Sequence, residues 1–91
     1  MTIDKKKKVT TGLKKTRSLL DRIIQMVEED AYCIDIMQQT LAAAGMLRST
    51  HEEVMRNHLE TCFVEGVKKS GKKKQTELIE EMLRVTNLHN R

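Results

Sequence analysis

Apolar positions recur three and four residues apart along most of the chain, and nowhere do they alternate as in a strand. From Val9 the pattern steps through Leu13, Thr16, Leu20, Ile23 and Val27, with Leu19, Ile24 and Met26 widening the stripe. This is one face of an amphipathic helix, predicted to begin between Lys8 and Thr11 and to run to about Glu29. A second stripe passes through Ile34, Met37, Leu41, Ala44, Leu47, Val54 and Met55, close to a heptad seam. Between residues 30 and 65 only Gly45 interrupts good helix formers, and the chain has no proline, so one long helix is predicted there. Asp30 suits its N-cap, and Gly66 or the Lys68-Lys69-Ser70-Gly71 stretch suits its end. A shorter third helix is predicted from about Lys74 to Asn87, with Leu78, Ile79, Met82, Leu83 and Val85 as its apolar face. The expected class is all-α: a three-helix protomer with one long central helix. Residues 9–88 form the helical domain, residues 1–8 a basic flexible N-terminal tail and residues 89–91 a short C-terminal tail.

Composition sharpens this picture. With 91 residues, one Phe, one Tyr and no Trp, the core of an isolated chain is small, and burial between chains is expected. Seventeen Lys and Arg against thirteen Asp and Glu leave a net charge of +4. The excess sits in Lys5 to Lys8 with Lys14, Lys15, Arg17 and Arg22, and in Lys68, Lys69, Lys72, Lys73 and Lys74. Such runs are commonly solvated lysine, but they also suit nucleic acid, because neutralising phosphates releases counterions. No secretory pattern and no apolar run of about 18 residues is present. That predicts a soluble cytoplasmic chain with no membrane partner, whose two cysteines are thiols suited to metal or redox chemistry. No nucleophile, base and orienting group occur together, so an enzyme is not expected.

Three of the chain's soft donors lie on or beside the long helix. His58 and Cys62 are four residues apart and share one face. Cys33 precedes His58 by 25 residues (58 − 33), roughly 37 Å along a continuous helix at about 1.5 Å per residue. Cys33 therefore cannot join the pair within its own chain unless the helix breaks. It can do so in an antiparallel partner, with the two-fold axis near Gly45, Met46 and Leu47, which creates two identical sites. Two thiolates and one imidazole suit Cu(I), whereas Zn²⁺ wants a fourth donor. His51 is a poor fourth, about 10 Å from His58 along the axis, and reads as a seam or surface residue. An isolated H-x3-C step is a weak signal, and a lone cysteine is ordinarily a small core residue. The joint placement of all three is what points to a site.

The segments DAYCIDIMQQ and NHLETCFVEG, with their separation, the H-x3-C step and the Tyr before Cys33, closely resemble the copper-sensitive operon repressor family of bacterial transcription regulators. The resemblance covers most of residues 9 to 85. It implies a homotetramer built as a dimer of antiparallel dimers, which binds double-stranded operator DNA when metal-free and releases it on binding Cu(I). It assigns the metal to Cys33 of one chain with His58 and Cys62 of its partner. It also places a Tyr and a Glu around the ligands: Tyr32 directly, and Glu77 if the loop before the third helix is one residue shorter than usual. These groups can accept or relay the imidazole N–H once the other nitrogen holds metal.

DNA contact is expected from Lys14, Lys15, Arg17, Arg22 and Arg48. Here the chain departs from the family pattern: Gly12 and Ser49 stand where the resemblance leads one to expect arginines, although Arg17 matches and Arg48 lies one residue before Ser49. Two alternatives to a Cu(I)-responsive repressor remain at this point. One is a thiol or persulfide sensor that cross-links Cys33 and Cys62 of two chains, against which His58 argues. The other is a Cu(I)-binding protein of the same fold with lost or weakened DNA binding.

Overall fold

A computed structural model describes residues 1–69 and 71–89. Its elements are α1 (Ile3–Glu28), α2 (Cys33–His58), a π-helical turn (Leu59–Phe63), α3 (Val64–Lys69) and α4 (Lys72–His89). Among the described residues there is no strand. Because α2, the π-turn and α3 follow one another without a break, they form the long central helix, and the chain has the three-helix order its periodicity predicts. Two compact units divide it: Met1–Val54, and the remainder from Met55.

The first unit is an antiparallel helical hairpin. Lys8 Nζ meets Glu53 Oε1 at 3.1 Å, while Gly12 lies against Thr50, so α1 and α2 run in opposite directions. α1 starts earlier than predicted, because Thr2 caps it: its Oγ1 accepts the N–H of Lys5 at 3.2 Å, and Asp4 favours the positive helix end. Lys5 to Lys8 therefore stand on helix rather than in a flexible tail. The turn after α1 is a Schellman motif. Ala31 N–H donates to Met26 C=O at 2.9 Å, and Asp30 N–H donates to Val27 C=O at 3.1 Å. Asp30 has φ 55°, in the left-handed region, which short polar side chains tolerate best after glycine. It closes α1, then, rather than capping α2, whose first turn is closed by Ile36 N–H on Tyr32 C=O at 3.2 Å.

The seam of this hairpin differs from the stripes the pattern suggests. Its residues on α1 are Val9, Gly12, Thr16, Leu19, Ile23 and Met26, and on α2 Ile36, Gln39, Ala43, Met46 and Thr50, each set spaced by three and four. Thr16 is 2% exposed and Ala43 3%, the tightest points. The buried Thr16 hydroxyl is satisfied by donating to Gly12 C=O at 2.9 Å. Leu13, Leu20, Ile24 and Val27 remain exposed, as do Ile34, Met37, Leu41, Leu47 and Val54. The reason is geometric. Each helix carries an apolar sector wider than one neighbour can cover, and a two-helix hairpin covers only part of it.

In the second unit, α4 folds back beside α3. Gly66 lies so close to Leu78 that a Cβ there would be 2.9 Å from Leu78 Cδ1. Gln75 Nε2 donates to Val67 C=O at 2.6 Å, satisfying one of the carbonyls that the end of α3 leaves open. α4 begins at Lys72, two residues before the predicted start, with Gly71 C=O accepting from Gln75 N–H at 3.0 Å.

Candidate functional site

Cys33 is the first residue of α2, exposed and a free thiol. Tyr32, just before it, is 69% exposed. His58 is the last residue of the same helix, half-buried. One uninterrupted helix therefore carries one thiol at its start and the imidazole at its end. No group of three His, Cys, Asp or Glu able to hold a metal ion occurs among the described residues of the single chain.

The His58 end is built by the π-turn. Cys62 lies inside it, exposed and free, and the ring of Phe63 is 6.5 Å from that of His58, tilted by 56°. A π-turn takes more residues per revolution than an α-turn, so it rotates Cys62 away from where a regular helix would put it; such turns recur at functional sites. Thr61 Oγ1 donates to Asn57 C=O at 2.6 Å and sits 3.6 Å from Cys62 Sγ. The same back-bond occurs at Thr16, Thr40, Thr76 and Thr86 within ordinary helix, so it accompanies the widened turn without accounting for it.

The carboxylate beside the imidazole is Glu81, whose Oε1 is 3.9 Å from His58 Nε2. Glu77, the acid matched from sequence, is instead paired with Lys74 at 3.7 Å. The difference is one helical turn. The expected match assumed a shortened loop, whereas α4 meets the imidazole one turn further along. Sequence could have raised Glu81 only as one of three candidates, since Glu77, Glu80 and Glu81 all lie on α4 and the loop leaves its register open. Nε2 is the imidazole nitrogen nearer Glu81. A thiol and an imidazole are donors of the kind that soft, sulfur-preferring metal ions take.

Lys14, Lys15, Arg17, Arg22 and Arg48 are all exposed, but they do not share one face. At about 100° per residue, Lys8, Lys15 and Arg22 form a row seven apart along α1, while Lys14 lies about 100° away from Lys15, nearer to Arg17. An open groove of about 390 Å³ adjoins that row, lined by Asp4, Lys7, Lys8, Thr11, Gly12 and Lys15. Arg17 belongs with the exposed Leu13, Leu20 and Ile24 on the other flank of α1, and Arg48 lies seven residues beyond Leu41 in the exposed apolar row of α2. Gly12 sits in the hairpin seam, where an added Cβ would be 3.0 Å from Thr50 Oγ1. A small residue at that position serves helix approach. Ser49 is exposed. No helix among the described residues is long and apolar enough to cross a membrane.

Residues 5–87 match the family described as metal-sensitive transcriptional repressor. Among curated proteins, the chain is 45% identical over 64 residues to the copper-sensing transcriptional repressor CsoR of Mycobacterium ulcerans, covering 70% of this chain and 55% of that protein. It is 34% identical over 59 residues to the copper-sensing transcriptional repressor RicR of Mycobacterium tuberculosis, covering 65% and 62%. It is 27% identical over 82 residues to the Bacillus subtilis CsoR, covering 89% and 81%. The chain spans about half the length of the mycobacterial CsoR proteins that it matches.

Proposed function

The chain belongs to the metal-sensitive transcriptional repressor family, whose members are regulators rather than enzymes, and from that premise we propose that it represses transcription by binding operator DNA when metal-free and releases it on binding Cu(I). The observation that carries this reading is the His58–Glu81 pair in the turn before an exposed thiol, Cys62, with a second exposed thiol, Cys33, heading the same continuous helix.

The separation of the donors and the uncovered apolar rows support the same assembly. Two chains laid antiparallel along α2 bring Cys33 of one to His58 and Cys62 of the other, twice per dimer. They also cover Met37, Leu41 and Leu47, which a hairpin alone leaves exposed. Pairing of two such dimers gives the homotetramer. In this arrangement Cys33 of one chain with His58 and Cys62 of its partner would hold the ion, and copper would supply a soft Lewis-acid centre shared between the two chains. Glu81 and Tyr32 orient the imidazole through its Nε2–H. Because Glu81 belongs to α4, a change at His58 is felt by α4, and DNA release becomes a shift between two populations of the assembly. The row Lys8, Lys15 and Arg22 supplies phosphate contacts on double-stranded DNA. A cytoplasmic location goes with this role.

Anaerobic Cu(I) titration read by anisotropy of a duplex from upstream of the protein's own operon tests the reading. Operator affinity is expected to fall as about one Cu(I) per chain is taken up. A Cys33→Ala chain mixed with a His58→Ala/Cys62→Ala chain is expected to restore sites that neither forms alone; no restoration refutes the inter-chain arrangement. His58→Ala is expected to keep substantial Cu(I) binding but to respond weakly at the DNA.

The exposure of both thiols favours a second reading, in which Cys33 and Cys62 of two chains are cross-linked in response to oxidant or persulfide. A chain that ignores Cu(I) yet releases DNA on forming a covalent dimer, which reductant then dissolves, would support it. Equal affinity for operator and scrambled duplexes, with Cu(I) still bound, would support a copper-binding protein with weakened DNA recognition, a reading to which the exposed Ser49 lends itself.

A further inference from the structure

Three contacts on α4 follow one another at intervals of three residues. Gln75 donates its amide N–H to Val67 C=O at 2.6 Å, Leu78 rests on Gly66, and Glu81 faces His58 at 3.9 Å. The first two are anchoring contacts: one polar bond to the end of α3, and one apolar seat that exists because residue 66 has no side chain. The third is a loose ion-pair distance between groups that are both partly solvated, and by itself it holds little. The position of Glu81 therefore depends on the packing of the face behind it, where Gln75 and Leu78 make these two contacts and Met82 and Val85 are also half-buried.

We propose that Gln75 and Leu78 are positioning residues that form a clamp holding α4 over the end of the central helix, and that this clamp carries the state of His58 into α4. The role in signalling rests on the repressor reading above; the clamp itself does not. Without it, α4 remains a helix but no longer holds Glu81 at the imidazole. The metal ligands are then intact while their occupancy goes unread.

Two variants separate the clamp from general stability. Gln75→Glu removes the donor and sets a carboxylate against a carbonyl, yet an acid in the first turn of α4 favours helix formation. Leu78→Ala empties the seat at Gly66 and keeps a strong helix former. Hydrogen exchange on the full metal-free chain reads the clamp directly. In both variants α4 amides are expected to exchange about fivefold faster, the equivalent of one hydrogen bond of about 1 kcal/mol, with α1 amides unchanged. Cu(I) affinity, measured against a chromophoric chelator, is expected to fall by no more than about tenfold, the low end of what loosening an outer partner of a ligand costs, because neither residue is itself a ligand. The ratio of operator affinities without and with Cu(I) is expected to fall about fivefold, within the range of ordinary allosteric couplings. Unchanged exchange in both variants, or a loosened α4 that still gives full copper-driven release, overturns the proposal. If the wild-type chain itself ignores Cu(I) while α4 exchanges as expected, the repressor reading and the signalling role fail together, and the clamp geometry stands.

Discussion

Replacing Gly12 by Ala tests the closest approach of the hairpin. Glycine inside a helix costs about 0.5–1 kcal/mol relative to alanine, so an unconstrained Gly12→Ala change should stabilise by that amount. The added Cβ, however, meets Thr50 Oγ1 at 3.0 Å, tighter than ordinary van der Waals contact, and both residues lie in the seam. Relieving the clash requires α1 to shift by a few tenths of an ångström or the threonine to change rotamer, at a cost of about 0.5–1.5 kcal/mol. The two effects nearly cancel, and Gly12→Ala alone is expected to change stability by less than about 0.5 kcal/mol. In a Thr50→Ala background the obstruction is gone and the full propensity gain of about 1 kcal/mol should return. The cycle Gly12→Ala, Thr50→Ala and double variant is thus expected to show a coupling of about 1 kcal/mol, measured by denaturant unfolding at one fixed protein concentration. In a domain of this size that corresponds to about 4–8 °C in Tm. A fully additive cycle, with Gly12→Ala stabilising by itself, refutes the tight seam. It would also return Gly12 to being a missing DNA-contact arginine rather than a packing residue.

Charge removal on the basic row, Lys15→Ala or Arg22→Ala, is expected to weaken operator binding and to lower the slope of log K against log salt by about 0.9 for each phosphate no longer neutralised; a larger effect from Arg17 and Arg48 than from Lys15 and Arg22 would show that the row is not the DNA face. Asp30→Gly is expected to stabilise by up to about 1 kcal/mol, because the left-handed φ of 55° strains a side chain but not glycine, less the greater freedom of glycine in the unfolded chain; thermal unfolding checks the sign, with Asp30→Val expected to destabilise. Leu41→Lys places a charge on a side chain that is 72% exposed in the hairpin, so it should leave helicity intact while shifting sedimentation toward smaller species. An unchanged oligomer would show that this row is not covered by a second copy.

Helical periodicity and the absence of proline are local properties, and they are enough to determine the helix order and the long central element, while the spacing of Cys33, His58 and Cys62 points to the donor set proposed above. Periodicity also announced an apolar sector on each helix. It could not say which part of that sector the chain itself covers, because a stripe read along one helix holds no information about the width of its neighbour. Packing decided that Ile36, Ala43 and Met46 face α1 while Met37, Leu41 and Leu47 are left over. The same limit explains Gly12, which reads as a missing arginine in sequence and as a point of helix contact in space. Asp30 has the composition of an N-cap, but the hydrogen bonds of the turn before it take it as the left-handed end of α1. Likewise Glu77, Glu80 and Glu81 are equivalent as letters on one amphipathic helix. The packing of α4, including the seat of Leu78 on Gly66 and the bond from Gln75 to Val67, accompanies the register in which Glu81 stands 3.9 Å from His58 and Glu77 pairs with Lys74.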